Sequence, residues 1–164
     1  VPLPILLNES TEILELIIKS NAINNYKIKF LIKSHPAVSK DHFIKRYNLP
    51  NNFIFTEKST DSLIHNSSLL LSGISSICME GICLGVPTII IEKNKCMTFD
   101  PIPEELDKSL YKRINNYNDL GKYINFYLDL SKESKNLIET KSNNIKNYYF
   151  EKPTKLNKKF MLDL

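Results

Sequence analysis

The chain has 164 residues, 42% of them hydrophobic and 24% charged, with a net charge of +4, which is enough for one globular domain with a real core. That modest charge, spread over many lysines, lacks the gathered basic face of a nucleic-acid binder. Cys78, Cys83 and Cys96 are odd in number and show no C-x-x-C spacing, so neither a zinc knuckle nor a disulfide framework is indicated, and they read as reduced thiols of a cytosolic protein.

The opening Val1-Pro2-Leu3-Pro4 has no basic n-region, so no signal peptide is visible, and a start without Met reads as a processed chain or an excised fragment. Val1 to Leu7 reads as the end of a strand entering a loop. Asn8-Glu9-Ser10-Thr11 then supplies cap residues for a helix to about Lys19, with its apolar stripe on Ile13, Leu14, Leu16, Ile17 and Ile18. Asn21 to Asn25 is a turn and Ile28 to Ile32 a strand. The strand ends in Ser34-His35-Pro36, where Pro36 holds His35 extended.

A helix over Ser39 to Tyr47 precedes a strand over Phe53 to Phe55 and a short helix from Thr60 to about His65. The stretch from Ser68 to Glu92, SLLLSGISSICMEGICLGVPTIIIE, organises the rest. Two short apolar runs, Leu69 to Leu71 and Thr88 to Ile91, flank a helix that opens at Ser75-Ser76 and closes at Gly85. That is the pattern of a βαβ crossover between buried parallel strands. Glu80, the serines, two glycines and Pro87 break the stretch, which rules it out as a membrane span.

After a loop over Lys93 to Pro103, Leu110 to Ile114 reads as a final strand. Asn118-Asp119 caps a helix to Leu130, Lys132 to Tyr149 forms a long last helix, and residues 151–164 are a basic tail. The alternation predicts an α/β protein: a Rossmann-like three-layer sandwich on a parallel sheet of five or six strands, with residues 1–150 as the domain. Ligands of such folds sit beyond the carboxyl ends of the strands, near free N–H groups of helix N-termini.

Four positions on that rim draw notice. Ser75 and Ser76 open the central helix, and capping it is compatible with binding phosphate, because a cap satisfies one of four free N–H groups. Glu80 lies four residues after Ser76 on the same helix face. Its apolar neighbours predict burial, so it needs a partner: a ribose diol and an internal lysine serve equally. His35 follows the second strand and can bind phosphate, whereas His42 and His65, inside helices, read as structural. Thr56 and Glu57 end the third strand, with turn formation as their plainer role. The lysines from Lys132 to Lys159, interleaved with Glu133, Glu139 and Glu151, read as a solvated face and leave a weak attraction to an anionic membrane surface open.

In order, Lys33-Ser34-His35-Pro36, Ser75-Ser76 with Glu80, and Gly85-Val86-Pro87-Thr88 resemble the C-terminal, donor-binding half of GT-B glycosyltransferases of bacterial surface-polysaccharide synthesis. The likeness is to His-Pro/Ser-Ser sialyltransferases and CDP-glycerol-type polymer synthases, over roughly Val1 to Tyr149. It implies donor phosphates on His35, Ser75 and Ser76, the ribose on Glu80 and the base near Thr56. It also implies a CMP- or CDP-linked donor, no metal or other cofactor, and a cytoplasmic protein at or near the inner membrane. The glycan acceptor would be held by an N-terminal domain that this sequence lacks, and no catalytic base can be named. Two other readings stay open: a nucleotide-sugar epimerase domain of the same fold, and a non-enzymatic α/β interaction module.

Overall fold

The computed structural model describes residues 1–20, 22, 25, 27–92 and 100–150. Its elements follow the expected alternation: α1 (Leu7–Lys19), β1 (Phe30–Ile32), α2 (Lys40–Arg46), β2 (Phe53–Phe55), α3 (Thr60–His65), β3 (Leu70–Gly73), α4 (Ser76–Cys83), β4 (Thr88–Ile91), β5 (Tyr111–Ile114), α5 (Tyr117–Leu128) and α6 (Lys132–Tyr149). The tail over 151–164, Cys96, the loop from Lys93 to residue 99 and most of the turn after α1 lie outside the described residues.

All strand pairs are parallel, and β3 and β4 are neighbours in the register Leu70↔Thr88 to Gly73↔Ile91. The expected parallel α/β architecture is present, and the described strands form a two-stranded sheet, β1-β2, and a three-stranded sheet, β3-β4-β5. The opening segment supplies a single parallel bridge, Pro2↔Lys33, on the free edge of β1. Val1 and Leu3 face β1: the Val1 amine donates to Leu31 O at 2.7 Å, Val1 O accepts the Lys33 N–H at 3.0 Å and the Leu3 N–H reaches Lys33 O at 2.9 Å, while Pro2 and Pro4 have no N–H to offer on the side away from β1.

Residues of β4 alternate between two apolar clusters. Ile89 and Ile91 join Leu71 and Ile114 under α1 and α5, against Ile13, Leu14, Ile17, Leu120, Ile124 and Tyr127. Ile90 joins Tyr111 under α4 and α6, against Cys78, Met79, Ile82 and Ile138. The three-stranded sheet therefore carries helices on both faces, α1 and α5 on one and α4 and α6 on the other.

Serine and asparagine caps set most helix starts. Ser39, Ser59, Ser75, Asn116 and Ser131 each accept an N–H of the first turn through the side chain. Two expected caps are corrected. α1 starts at Leu7 with Leu6 as an uncapped N-cap, and Ser10, already inside the first turn, donates its hydroxyl to Pro4 O at 2.8 Å. α5 is capped by Asn116 rather than Asn118-Asp119. Asn116 accepts the Asp119 N–H at 2.9 Å and its amide donates back to Asp119 Oδ2 at 2.7 Å. Asp119 is thus the third residue of a reciprocal cap, a place its own capping chemistry does not distinguish from the first.

α4 ends on Gly85, at φ +74°, the left-handed conformation that favours glycine. A Cβ there would meet only ordinary contacts to Glu139, the nearest at 3.7 Å, so its cost is conformational. Gly85→Ala is expected to lower stability by ~1–2 kcal/mol, and Gly85→Asn by less, in urea unfolding. Lys141 of α6 pairs with Asp107 at 2.7 Å, and this pairing, with the Ser109 N–H, holds the Asp107 carboxyl down to about 2 from 3.8. Because the folded value lies below the ordinary one, the stabilisation is complete above pH 3.8 and lost as pH falls through about 2. Asp107→Asn is expected to flatten that acid limb in thermal melts between those pH values.

Candidate functional site

The turns that follow β1, β3, β4 and β5 meet at one cleft of about 740 Å³. His35 comes from the β1 turn, Ser72 to Ser75 from the end of β3, Glu92 from β4, and Asn115 and Tyr117 from β5. Pro2, Leu3 and Pro4 close one side, and α1 forms a long wall through Glu9, Glu12, Glu15, Leu16 and Lys19. A cleft beyond the carboxyl ends of parallel strands is where open α/β sheets bind ligands.

Ser75 is built into this rim as the N-cap of α4. Its Oγ accepts the Ile77 N–H at 3.3 Å and its carbonyl accepts the Cys78 N–H at 3.0 Å. Cys78 is fully buried behind the turn and donates its thiol to Gly73 O at 3.3 Å. Burial pushes that thiol up to about 11, so Cys78 is a packing residue and not a nucleophile.

His35 is half-buried on the opposite lip. Its Nδ1 accepts the Ala37 N–H at 3.1 Å, which assigns the proton of the neutral ring to Nε2 and leaves a donor for an incoming oxygen. His35 also borders a second, smaller cleft of about 270 Å³, with Ser34, Ser39, Thr56 and Glu57. Lys40 crosses that cleft to Glu57 at 3.0 Å, and the Thr56 N–H extends the β1 ladder to Ile32 O at 2.9 Å.

The expected residues are thus distributed over three places. His35 and Ser75 share the main cleft, and His35 and Thr56 share the smaller one. Ser76 and Glu80 line neither; both are exposed on one face of α4, as their spacing requires. The expected burial of Glu80 is corrected. Its apolar neighbours Cys78, Met79, Ile82 and Cys83 face the core, and Glu80 points from the opposite side. No hydrogen bond or ion pair to its side chain is present among the described residues, so the internal-lysine account finds no partner there. His42 rests edge-on against Phe43, and His65 lies 3.4 Å from Asp61 in its own helix; both are exposed.

Two features of the cleft were missed in the sequence. One is the acidic α1 wall, where Glu9, Glu12 and Lys19 recur at helical spacing on one side; such a charge stripe reads equally as a solvated face. The other is Arg113 on β5, which bonds Glu92 Oε1 at 2.9 Å and Asp100 Oδ2 at 2.6 Å. Burial alone would lower the Arg113 guanidinium, and its two carboxylate partners outweigh that and raise it. Glu92 is thereby held at the cleft edge. The pairing of β4 with β5 brings the two residues together, and that register was not written in either strand.

Among the described residues no group of three His, Cys, Asp or Glu side chains could hold a metal ion, and no helix is long and apolar enough to cross a membrane. No protein-family model, curated protein or solved structure matches the chain. What defines its class is therefore the fold itself: a parallel α/β domain with a cleft at the carboxyl ends of its strands.

Removing the Arg113 charge leaves Glu92 and Asp100 facing each other without a counter-ion. Arg113→Met is expected to cost ~1–3 kcal/mol in denaturant unfolding. The double variant that adds Glu92→Gln should recover part of that loss, a coupling that a purely apolar role for the arginine stem would not produce.

Proposed function

We propose that this domain binds the nucleotide of a CMP- or CDP-linked sugar or polyol, as the donor half of a glycosyltransferase that builds cell-surface polysaccharide. The observation that carries the reading is the convergence of His35 and Ser75 on one cleft beyond the strand ends. Nε2 of His35, the hydroxyl of Ser75 and the N-terminal end of α4 are all donors, suited to the negative oxygens of a diphosphate. They would stabilise charge on the departing nucleotide, a purely electrostatic contribution to transfer.

The two clefts that share His35 fit an elongated ligand. Phosphates would lie between His35 and Ser75, with the base extending past Thr56 into the smaller cleft. Glu80, exposed one turn into α4 and outside both clefts, would meet a ribose diol only where the ligand also spans the outer face of that helix. A continuous sheet in which Val1 to Pro4 runs between β1 and β3 belongs to the same reading, supported by Pro2, Leu3, Ser72 and Gly73 lining the same cleft. The acceptor glycan would be held by a further domain, and the work done on the cytoplasmic side of the membrane.

Calorimetry with CMP, CDP, UDP and GDP tests the proposal. Binding in the micromolar to millimolar range is expected, with a cytidine nucleotide preferred. His35→Ala and Ser75→Ala should each weaken it roughly ten- to hundredfold, the loss of one charge-assisted hydrogen bond. Ser75→Ala should also lose ~1 kcal/mol of stability with its cap, and His35→Ala should not. Glu80→Gln is expected to leave stability within ~0.5 kcal/mol and to weaken nucleotide binding. Unchanged affinity removes Glu80 from the site. Silence toward all four nucleotides leaves the interaction-module reading in its place.

A further inference from the structure

The register that pairs β4 with β5 continues one residue past both strands. Ile91 lies opposite Ile114, and the Glu92 N–H bonds Ile114 O at 2.7 Å. Glu92 and Asn115 are therefore neighbours across the strand ends, with backbones about 5 Å apart. Both line the main cleft, and so does Tyr117, two residues further on. In the order β3-β4-β5 this end of the cleft stands two strands from the Ser75 turn, a distance of about 10 Å.

Each of the three residues is held from behind and left open in front. Arg113 bonds Glu92 Oε1 at 2.9 Å, and Glu92 Oε2 has no partner among the described residues. Asn115 Oδ1 accepts from the Asn116 amide at 3.3 Å, so the amide N–H groups of Asn115 remain to donate. Asn116 in turn caps α5 and exchanges bonds with Asp119 at 2.9 and 2.7 Å, which fixes the turn that carries Tyr117. Tyr117 keeps 46% of its surface exposed, and no hydrogen bond or ring contact engages it among the described residues. An acceptor, a donor and an open aromatic ring, set in place beforehand, suit a group rich in hydroxyls. The carboxylate and the amide can bond adjacent hydroxyls while the ring covers the C–H face between them.

We infer that Glu92, Asn115 and Tyr117 hold the transferred group of the donor, a hydroxyl-rich sugar or polyol of five or more carbons. The inference rests on the nucleotide reading: with the base past Thr56 and the phosphates between His35 and Ser75, the group they carry is directed toward β4 and β5. Its size follows from the strand spacing. With carbon–carbon bonds of about 1.5 Å, a three-carbon glycerol reaches Glu92 on β4 and falls short of Tyr117 beyond β5. A pyranose or a pentitol spans both. A further phosphate is the poorer occupant, because two carboxylates, Glu92 and Asp100, share the one guanidinium of Arg113.

The test is calorimetry on the whole 164-residue chain with four esters of CDP, those of ethanol, glycerol, ribitol and glucose. All carry the same charge, so differences among them report the transferred group. CDP-ribitol and CDP-glucose are expected to bind about tenfold more tightly than the ethyl ester, the yield of one or two net hydrogen bonds, and CDP-glycerol no more than about threefold. Asn115→Ala, Tyr117→Ala and Glu92→Gln should each cut the tenfold gain to about threefold or less, whereas Tyr117→Phe, which keeps the ring, should preserve it. The readout is the ratio of ribitol ester to ethyl ester, in which a general loss of stability or of nucleotide affinity cancels. Equal affinity for all four esters, or an unchanged ratio in both Asn115→Ala and Tyr117→Ala, overturns the inference while the nucleotide reading stands. So does a CDP-glycerol that binds as tightly as CDP-ribitol. Silence toward all four esters overturns both.

Discussion

The cleft depends on how closely α4 lies against β3 and β4, and a missing side chain sets that approach. A Cβ on Gly81 would stand 2.5 Å from Leu70 Cδ2 and 3.1 Å from Thr88 Oγ1, inside contact distance of both strands. With glycine there, α4 settles onto the pair, and the position of its first turn follows from the position of its middle. Ser75 is the N-cap of that turn, so the cleft rim is placed by packing two helical turns away. The far end is fixed as firmly: the N–H groups of Leu84, Gly85 and Val86 return to Glu80, Gly81 and Ile82 carbonyls, and Gly85 reverses the chain into β4. Thr88, fully buried, donates its hydroxyl to Val86 O at 3.0 Å inside the same bend, which satisfies that side chain locally.

This placement gives the main cleft two chemically different sides. The turn side offers donors, namely His35 Nε2 and the α4 N-terminus. The α1 side offers carboxylates, with Lys19 paired to Glu15 at 3.8 Å and Glu15 also accepting from the Tyr47 hydroxyl at 2.9 Å. Arg46 also reaches Glu15 at 4.0 Å, so Glu15 belongs to a paired network and is not an open charge. Arg113 contributes by neutralising Glu92, which would otherwise set a further carboxylate next to the turn side of the cleft.

The sequence made the order of elements legible because each strand is a short apolar run between turn residues and most helices start on a serine or asparagine. β2, β4 and α3 fall where the residues place them, since Phe53 to Phe55, Thr88 to Ile91 and Thr60 to His65 have unambiguous ends. Three matters were not legible. The opening segment bonds β1 through Val1 and Leu3, its prolines leave the other side without donors, and the apolar pattern alone does not show which side that is. Asn116 and Asp119 form one reciprocal cap, and either could have been its first member. Glu80 was read as buried from its sequence neighbours, yet in a helix neighbours one and two residues away point elsewhere. Ser76, one turn earlier on the same face, was the better guide and is exposed like Glu80, whereas Leu84 at i+4 packs partly against Ile64, Leu70 and Val86.

The two faces of the three-stranded sheet also separate the charges of the molecule. The acidic wall belongs to α1, on the face shared with α5, and the exposed lysines Lys132, Lys135 and Lys146 belong to α6, on the face shared with α4. A sheet with one helix layer on each side holds the two apart by on the order of 20 Å. That is more than twice the ~8 Å over which exposed charges act at physiological ionic strength. The acidic side of the cleft and the lysines of α6 are thus electrically independent: neither neutralises the other, and each acts on what lies directly in front of it. α4 is the one element in both environments, with its cap at the cleft and its body packed on α6. Any displacement of α6 would therefore reach the cleft through the packing of Ile82 and Ile138 rather than through charge.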